Sequence, residues 1–366
     1  MASNSFGTQF KITTWGESHG EAIGVLIDGV PAGIAVTENE INIALAKRAP
    51  GQSRYTSPRK EEDKVKILSG LFDNQTTGAP VFLMIHNTNH DSNQYRDIKN
   101  TLRPGHANFT YIEKYGIFDY RGGGRASARE TAARVAAGAV AKKINSAQGI
   151  KLVAFVKSVG TVCMSSTNDN IDNLIAKRDA SCIGCPDAST SDKIVKQISD
   201  AREEGDSVGG VIECHVHACP VGLGDPVYEK IEAKLASAMM SIPATKGFEI
   251  GQGFAAAQMK GSEHNDGFVA VKNNIKPSTN HAGGTLGGIT TGEKLVFRVA
   301  FKPTSSIKIQ QHSVTLDGEN TTFQIPKDGR HDPCVAIRAV AVVEAMCHLV
   351  LADCILLNRL SRLDNK

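Results

Sequence analysis

Three short stretches of this chain set a histidine or an arginine pair where chemistry can be done. The first is Gly16-Glu17-Ser18-His19-Gly20, behind the alternating run Phe10-Lys11-Ile12-Thr13-Thr14-Trp15. It satisfies the G-x-S-x-G form of a hydrolase nucleophile elbow, which needs a strand, a strained turn and then a helix. The residues that follow, through Gly24 to Asp28-Gly29-Val30-Pro31, carry too many glycines for a helix and suggest a second strand into a turn. The architecture is wrong for Ser18 as an acylated nucleophile. His19, bracketed by Ser and Gly on a turn, is the better chemical group. The second stretch is Arg103-Pro104-Gly105-His106, a stiff turn that presents an imidazole beside a fixed positive charge and suits proton transfer. The third, Tyr120-Arg121-Gly122-Gly123-Gly124-Arg125, runs into Ser127-Ala128-Arg129-Glu130, which has capping-box spacing. A glycine loop feeding a helix start offers N–H groups and a positive dipole end to an anion, and Arg125 and Arg129 add bidentate partners.

Other patterns carry less. The basic loop Lys47-Arg48-Ala49-Pro50-Gly51-Gln52-Ser53-Arg54, continuing to Arg59-Lys60, has no interleaved aromatics and fits a small polyanion better than nucleic acid. Lys302-Pro303-Thr304-Ser305-Ser306-Ile307 ends a strand with hydroxyls and a lysine, a set suited to a phosphate or a flavin edge, or to a simple turn. Gly251-Gln252-Gly253-Phe254-Ala255-Ala256 mimics a dinucleotide fingerprint, but no convincing crossover helix follows. Cys182 and Cys185 with Cys214, His215, His217 and Cys219 tempt a zinc reading. Alternation in Val211-Ile212-Glu213-Cys214-His215-Val216 would send Cys214 and His215 to opposite strand faces, so reduced cysteines and no metal are expected.

The elements that must position these residues are strands separated by Gly- and Asn-rich turns, with a few helices between. Helices are expected over 128–144, with a small-residue face at Ala132, Ala136 and Val140, and from the N-cap Asp332 and Pro333 to about Arg359. A third is expected over 226–241, and weaker ones over 40–48 and 190–204. Two pieces look alike: Thr76-Thr77-Gly78 and the strand after it parallel Thr290-Thr291-Gly292 and its strand. Beyond each lies a Gly-Arg pair, 124–125 and 329–330, before a helix containing Arg134 or Arg338. An internal duplication with pseudo-twofold architecture follows, in an α+β fold with a helical layer.

The totals bound the answer. The 366 residues suffice for a large core, and no composition shift divides them, so one domain over 1–366 is expected, with a short polar tail from about 358. Glycine is the outlier, 35 residues against a usual share near 7%, which predicts tight turns and close backbone approaches. A net charge of +3 is too mild for nucleic acid, so an anion site must come from local clusters. The most apolar stretch, 339–357, carries Glu344, His348 and Asp353 and reads as a buried helix rather than a membrane span. With no signal-peptide pattern at the start, a cytoplasmic protein is expected.

Together these motifs closely resemble the chorismate synthase family, from about Gly7 to Met346. The resemblance is carried by Gly16 to Gly20, Pro50-Gly51-Gln52-Ser53-Arg54, Arg103 to His106, Arg121 to Arg125 with Ser127 to Thr131, Lys302 to Ser306, and Gly329-Arg330-His331-Asp332-Pro333-Cys334. It implies a β-α-β sandwich with internal pseudo-twofold duplication, assembled as a homotetramer. It also implies a carbon–oxygen lyase of the shikimate pathway, which eliminates phosphate and a ring proton from 5-enolpyruvylshikimate 3-phosphate and requires reduced FMN. By resemblance Arg48, Arg54, Arg103, Arg129 and Arg330 line the substrate site, His19 protonates the departing phosphate and His106 protonates the reduced flavin. Asp332, with Ser18 and Ser127, resembles the relay beside the flavin's central ring. Flavin contacts carry over to Arg125, Ala126, Ser127, Pro243, Ala244, Gly287, Lys302, Pro303, Thr304, Ser305, Ser306 and Arg330. Arg48 and Arg54 match NADPH contacts for the case in which the chain reduces its own flavin; an external reductant is the other case.

The chain departs from the family pattern at Lys47 and Ala49, where arginines are common, at Asn108 for an Asp, at Ala126 for a Ser, and at Ala341 for a Pro. The runner-up reading is a flavin-binding protein that has lost catalysis; a serine hydrolase is the third. His19, His106 and Asp332 are all present, which argues against the former.

Overall fold

The computed structural model describes residues 4–51, 55–56, 63–88, 99–167, 169–272, 274–325 and 332–363. Alternation in the first half produces an antiparallel hairpin of β2 (Lys11–Gly16) and β3 (Ala22–Asp28), flanked by β1 (Ser5–Phe6). Helix α1 (Glu38–Arg48) starts at Thr37, which accepts from the Glu40 N–H while the Glu40 carboxylate accepts from the Thr37 N–H. Next come β4 (Val65–Ser69), the small hairpin of β5 (Leu71–Phe72) and β6 (Gln75–Thr76), and β7 (Val81–His86), closing a sheet of order β1-β2-β3-β7-β4. Helices α2 (Asn108–Tyr115) and α3 (Thr131–Ala147) follow.

The second half repeats this plan with insertions. Strands β8 (Lys151–Val159) and β9 (Val162–Cys163) precede helices α4 (Ile171–Ala180) and α5 (Ala188–Glu203), then β10 (Gly210–His217), α6 (Ile231–Met240) and β11 (Thr245–Ile250). The one-turn α7 (Gly261–His264) and the hairpins β12 (Phe268–Val271) with β13 (Asn274–Pro277) and β14 (Thr285–Leu286) with β15 (Ile289–Thr290) lead to β16 (Leu295–Phe301). A last hairpin, β17 (Gln311–Val314) with β18 (Asn320–Phe323), precedes α8 (Ala336–Asn358). The second sheet has the order β11-β16-β10-β8-β9, so β4-β7-β3-β2 and β11-β16-β10-β8 are equivalent arrangements.

The duplication extends to single atoms. Thr76 Oγ1 donates to Pro31 O at 2.6 Å and accepts from Ile34 N at 2.9 Å. Thr290 Oγ1 donates to Pro220 O at 2.6 Å and accepts from Leu223 N at 2.9 Å. Thr77 N bonds Gly70 O, and Thr291 N bonds Gly284 O, both at 3.0 Å.

Between the sheets lies the helical layer. Helix α3 packs on β3 and β7, α8 packs on β8 and β10, and the two helices pack on each other. A Cβ added at Gly138 would come 2.6 Å from Ala345 Cβ, so these axes approach as closely as a glycine allows. Helix α8 is long and apolar enough to cross a membrane, yet 78% of its most apolar window is buried in the protein, as its internal charges lead one to expect.

Several local expectations are corrected. The capping box at Ser127 does not close: Ser127 Oγ accepts from Arg129 N over a 3₁₀ turn, Ala128–Glu130, and α3 begins at Thr131. The Glu130 carboxylate is buried and turns instead to the Thr14 hydroxyl (2.9 Å) and the Arg134 guanidinium (2.8 Å), stronger partners than a backbone amide. Asp332 is not an N-cap, because α8 starts at Ala336 and the carboxylate pairs with Arg338. The helix expected over 226–241 shortens to α6, and α2 and α4 carried no strong sequence signal. The dinucleotide-like pattern is expected to lack a crossover helix, and residues 253–258 do form only a 3₁₀ turn. Cys214 does face α8, against Cys347, while His215 pairs with Glu213 on the other side of β10.

Asn145 of α3 donates to His348 Nδ1 on α8 at 2.9 Å, and burial pushes the His348 pKa down to about 3 from its ordinary 6.5. A folded-state value below the unfolded one means the neutral ring stabilises the fold above pH 6.5, and that contribution is lost as pH falls toward 3. Unfolding free energies from urea titrations should fall by about 1.4 kcal/mol per pH unit from this group between pH 6 and pH 4. The slope should flatten in His348→Gln, and an unchanged slope would refute the assignment.

Candidate functional site

The turn joining β2 to β3, the ends of β7 and β16 and the approaches to α3 and α8 are tied together by hydrogen bonds. In the β2–β3 turn, Ser18 Oγ lies 3.0 Å from His19 Nδ1 and orients the ring. Gly122 of the glycine loop packs on this pair: an added Cβ would overlap the His19 ring and come within 2.8 Å of Ser18 Oγ. Close backbone approach explains the glycine there. Asp119, held low chiefly by its bidentate partner Arg121, also feels the His19 charge.

Behind the turn lies a buried arginine cluster. Arg48, at the end of α1, donates from Nε to Thr131 Oγ1 (3.1 Å), from Nη1 to Asp63 Oδ2 (3.0 Å) and from Nη2 to Ala128 O (2.7 Å). Arg129 donates from Nη1 to the other Asp63 oxygen, from Nη2 to His86 O (3.3 Å) and from Nε to Asn87 Oδ1 (2.8 Å). Burial, with Arg338 and Arg129 alongside, draws the Arg48 pKa down to about 10 against the opposing pull of Asp63. Arg338 bonds Arg48 O through Nε (3.2 Å) and Asp332 Oδ2 through Nη1 (2.7 Å). Three guanidiniums thus face two carboxylates, an excess of positive charge suited to an anion.

The second histidine is fixed from the other half of the chain. Arg103 Nη2 donates to His106 Nε2 (3.1 Å), and the Ser306 hydroxyl lies 3.1 Å from the same nitrogen. A guanidinium can only donate, so Nε2 accepts and the ring proton of neutral His106 sits on Nδ1. Lys302 Nζ and Ser305 Oγ both donate to Gly105 O at 2.9 Å, clamping the 302–306 loop to the histidine's turn. Thr304 Oγ1 donates to Asp332 O (2.7 Å), which joins this loop to the arginine cluster. Residues 100–102 and 314–316 pair across the two halves, through a bridge at Thr101 and Thr315.

Ser18 and His19, Arg48 and Arg129, Arg103 and His106, Lys302, Thr304, Ser305, Ser306 and Asp332 therefore belong to one connected network. Ala244 joins it through its carbonyl, which accepts from Lys302 N at 2.9 Å, with Pro243 preceding it. Ala126 lies in a 3₁₀ turn, its N–H bonded to Gly123 O at 2.9 Å. The Arg125 side chain turns away, to Gly16 O, Thr14 and Asn4. Gly287 sits at the tip of the β14–β15 hairpin, at the opposite end of β16 from Lys302 and so about 20 Å away along the strand. Arg54 and Arg330 lie outside the described residues. Asp63, Asn87 and Arg338 were missed as site residues. A signal existed for two of them: Asp63 is in phase with Val65 and Ile67, and Asn87 with the buried Val81, Leu83 and Ile85, so each continues an inward face as a polar residue.

The departures have local accounts. Asn108 accepts from Arg103 N (3.2 Å) and donates to Thr101 O (3.4 Å), bracing the turn's backbone rather than the imidazole. A carboxylate there would lack the second bond. Lys47 pairs with Asp179 at the surface, Ala49 is the C-cap residue of α1, and Ala341 lies inside the uninterrupted α8.

Comparison with known proteins is uniform. The chain matches the family described as chorismate synthase over residues 10–356. It is 55% identical to the chorismate synthase of Protochlamydia amoebophila over all of both chains. It is 49% identical to that of Agathobacter rectalis, over 100% of this chain and 98% of the other, and 48% identical to that of Methanosarcina mazei, over 96% of each. A solved structure titled "Crystal Structure of Chorismate Synthase" superposes with a TM-score of 0.76 at 33% identity, covering 96% of this chain and 92% of the other.

Two outcomes test the geometry. Gly122→Ala should displace the His19 ring and lower turnover about 100-fold with little change in thermal midpoint; near-normal turnover would mean the loop yields. Asp63→Ala leaves buried guanidiniums facing one another and should cost about 3–5 kcal/mol of stability. Inorganic phosphate should restore part of that loss in thermal unfolding, and no loss at all would refute the role given to Asp63.

Proposed function

The chain belongs to the chorismate synthase family, and from that premise we propose how its own residues carry the reaction. The activity is that of a lyase of aromatic amino-acid biosynthesis: phosphate and a ring proton leave 5-enolpyruvylshikimate 3-phosphate, giving chorismate. The observation that carries the proposal is the hydrogen-bonded network joining the arginine cluster to both histidine turns.

The substrate bears one phosphate and two carboxylates, so cationic donors must hold it. Arg48, Arg103 and Arg129 supply that charge, with Arg54 and Arg330 added by family resemblance. Asp63 keeps two of these guanidiniums at fixed angles, so little order is lost when the substrate arrives. His19 gives the proton to the departing phosphate from Nε2, with Ser18 fixing Nδ1. By family resemblance His106 is the second proton carrier, and the contacts of Arg103 and Ser306 at Nε2 set the plane of its ring. Asp332, oriented by Arg338, stands with Ser18 and Ser127 for the relay of the ring proton.

The donors fit a reduced FMN: the Lys302 ammonium, whose pKa burial lowers, the Ser305 and Ser306 hydroxyls, and backbone at Ala126, Pro243 and Ala244. That cofactor supplies reversible electron donation as the C–O bond breaks. Arg125 contributes through its backbone only, and Gly287 from a neighbouring copy in a homotetramer, because its own chain holds it at the far end of β16. One domain over 1–366, a cytoplasmic location and no nucleic-acid partner complete the proposal.

The test is anaerobic. Protein, chemically reduced FMN and 5-enolpyruvylshikimate 3-phosphate should yield chorismate and phosphate in equal amounts, and oxidised FMN should yield neither. His106→Ala should lose most turnover while still binding flavin. Tight flavin binding by the wild type without product would instead support an inactive carrier, and fluorophosphonate labelling of Ser18 would support a hydrolase.

A further inference from the structure

Asn87 follows the last residue of β7 and is the point where the sheet hands its order to the site. Its backbone N–H continues the pairing with β3, donating to Glu21 O at 2.9 Å. Its side-chain amide makes three more bonds in opposite directions. Nδ2 donates to Glu17 O (3.0 Å) and Gly20 O (2.8 Å), bracketing the turn that presents Ser18 and His19. Oδ1 accepts from Arg129 Nε (2.8 Å). Two carbonyls on one side and a guanidinium on the other allow only one orientation of this amide. Within the turn Gly20 N donates to Glu17 O at 3.2 Å, and the Asn87 bracket adds two bonds to the same segment.

We propose that Asn87 is a positioning residue that couples the arginine cluster to the His19 turn. The setting of the arginine that binds the substrate and the aim of the imidazole that protonates the leaving group are then held by one side chain. This inference rests on the roles given above to Arg129 and His19. An amide is required, because only it can donate twice and accept once here. A carboxylate of the same shape keeps Arg129 but sets lone pairs against both turn carbonyls.

Asn87→Asp therefore separates the two ends. KM for 5-enolpyruvylshikimate 3-phosphate should stay within about threefold, and kcat should fall about 10- to 100-fold, the cost of a misplaced catalytic group. Asn87→Ala should raise KM and lower kcat together. Against a His19→Ala background, Asn87→Asp should add less than about a twofold further loss of kcat, because its effect runs through His19. Wild-type kinetics in Asn87→Asp, or multiplying losses in the double variant, would overturn the proposal. A readout independent of turnover is the His19 imidazole signal in the flavin-free protein, assigned by its absence in His19→Ala. It should shift in Asn87→Asp, and an unchanged signal overturns the coupling. Should His19→Ala turn over normally, the reading of His19 fails instead, and the imidazole signal alone then decides whether Asn87 sets the turn. If Asn87→Asp does not fold, Asn87→Ala carries the comparison of kcat against His19→Ala and the comparison of the imidazole signal.

Discussion

The contact of α3 with α8 is the constraint on which the rest depends. Each helix belongs to one half of the duplicated chain and rests on that half's sheet, so the angle and distance between them fix the relation of the two sheets. Gly138 against Ala345 makes this contact as close as a helix pair permits, and the Asn145–His348 bond seals the same interface with a polar pair buried on both sides. Added volume there would have to be taken up by moving a whole sheet, since cores are packed near crystal density. The site is assembled from segments that lead into these two helices, and its geometry is inherited from their packing.

That inheritance matters because the site is an electrostatically costly object. Guanidiniums gathered at a few ångströms repel one another in a poorly solvated setting, and only a carboxylate placed between them makes the arrangement tolerable. Asp63 does this for Arg48 and Arg129, and Asp332 does it for Arg338. The two carboxylates differ in consequence. Asp63 is enclosed by its partners and acts on orientation, while Asp332 lies on the run into α8 with its carbonyl tied to the 302–306 loop. Charge is left over for a polyanionic substrate, and most side chains already have the partners that fix their angles.

Much of this was legible in the sequence where a motif constrains its own backbone. Arg103-Pro104-Gly105-His106 could only be a stiff turn, and the paired Thr-Thr-Gly motifs marked the duplication that the strand orders bear out. What sequence could not supply was the choice among partners that only tertiary structure brings together. Ser127 and Glu130 have capping-box spacing, but Glu130 meets Thr14 and Arg134 across the chain and leaves the cap. Asp332 precedes a proline as an N-cap should, and a guanidinium two positions into the helix claims it instead. Asp63 hid in a run of acidic residues that looks solvated, although its phase with Val65 and Ile67 pointed inward.

A duplicated fold offers two equivalent ends, yet the described residues of the candidate site come from unlike connections in the two halves, and the loops explain why. In the first half the connection between its first two long strands is the short turn bearing Ser18 and His19. In the second half the equivalent connection, between β8 and β10, carries the α4–α5 insertion, and no histidine turn can form there. The excursions before α3 and α8 do not separate into two sites either. They pair with each other through Thr101 and Thr315 and contribute complementary parts, a histidine turn from one and the loop that clamps it from the other. Symmetry in the scaffold and asymmetry in the connections are thus both required. The first sets two helix approaches side by side, and the second lets unlike residues meet across the axis.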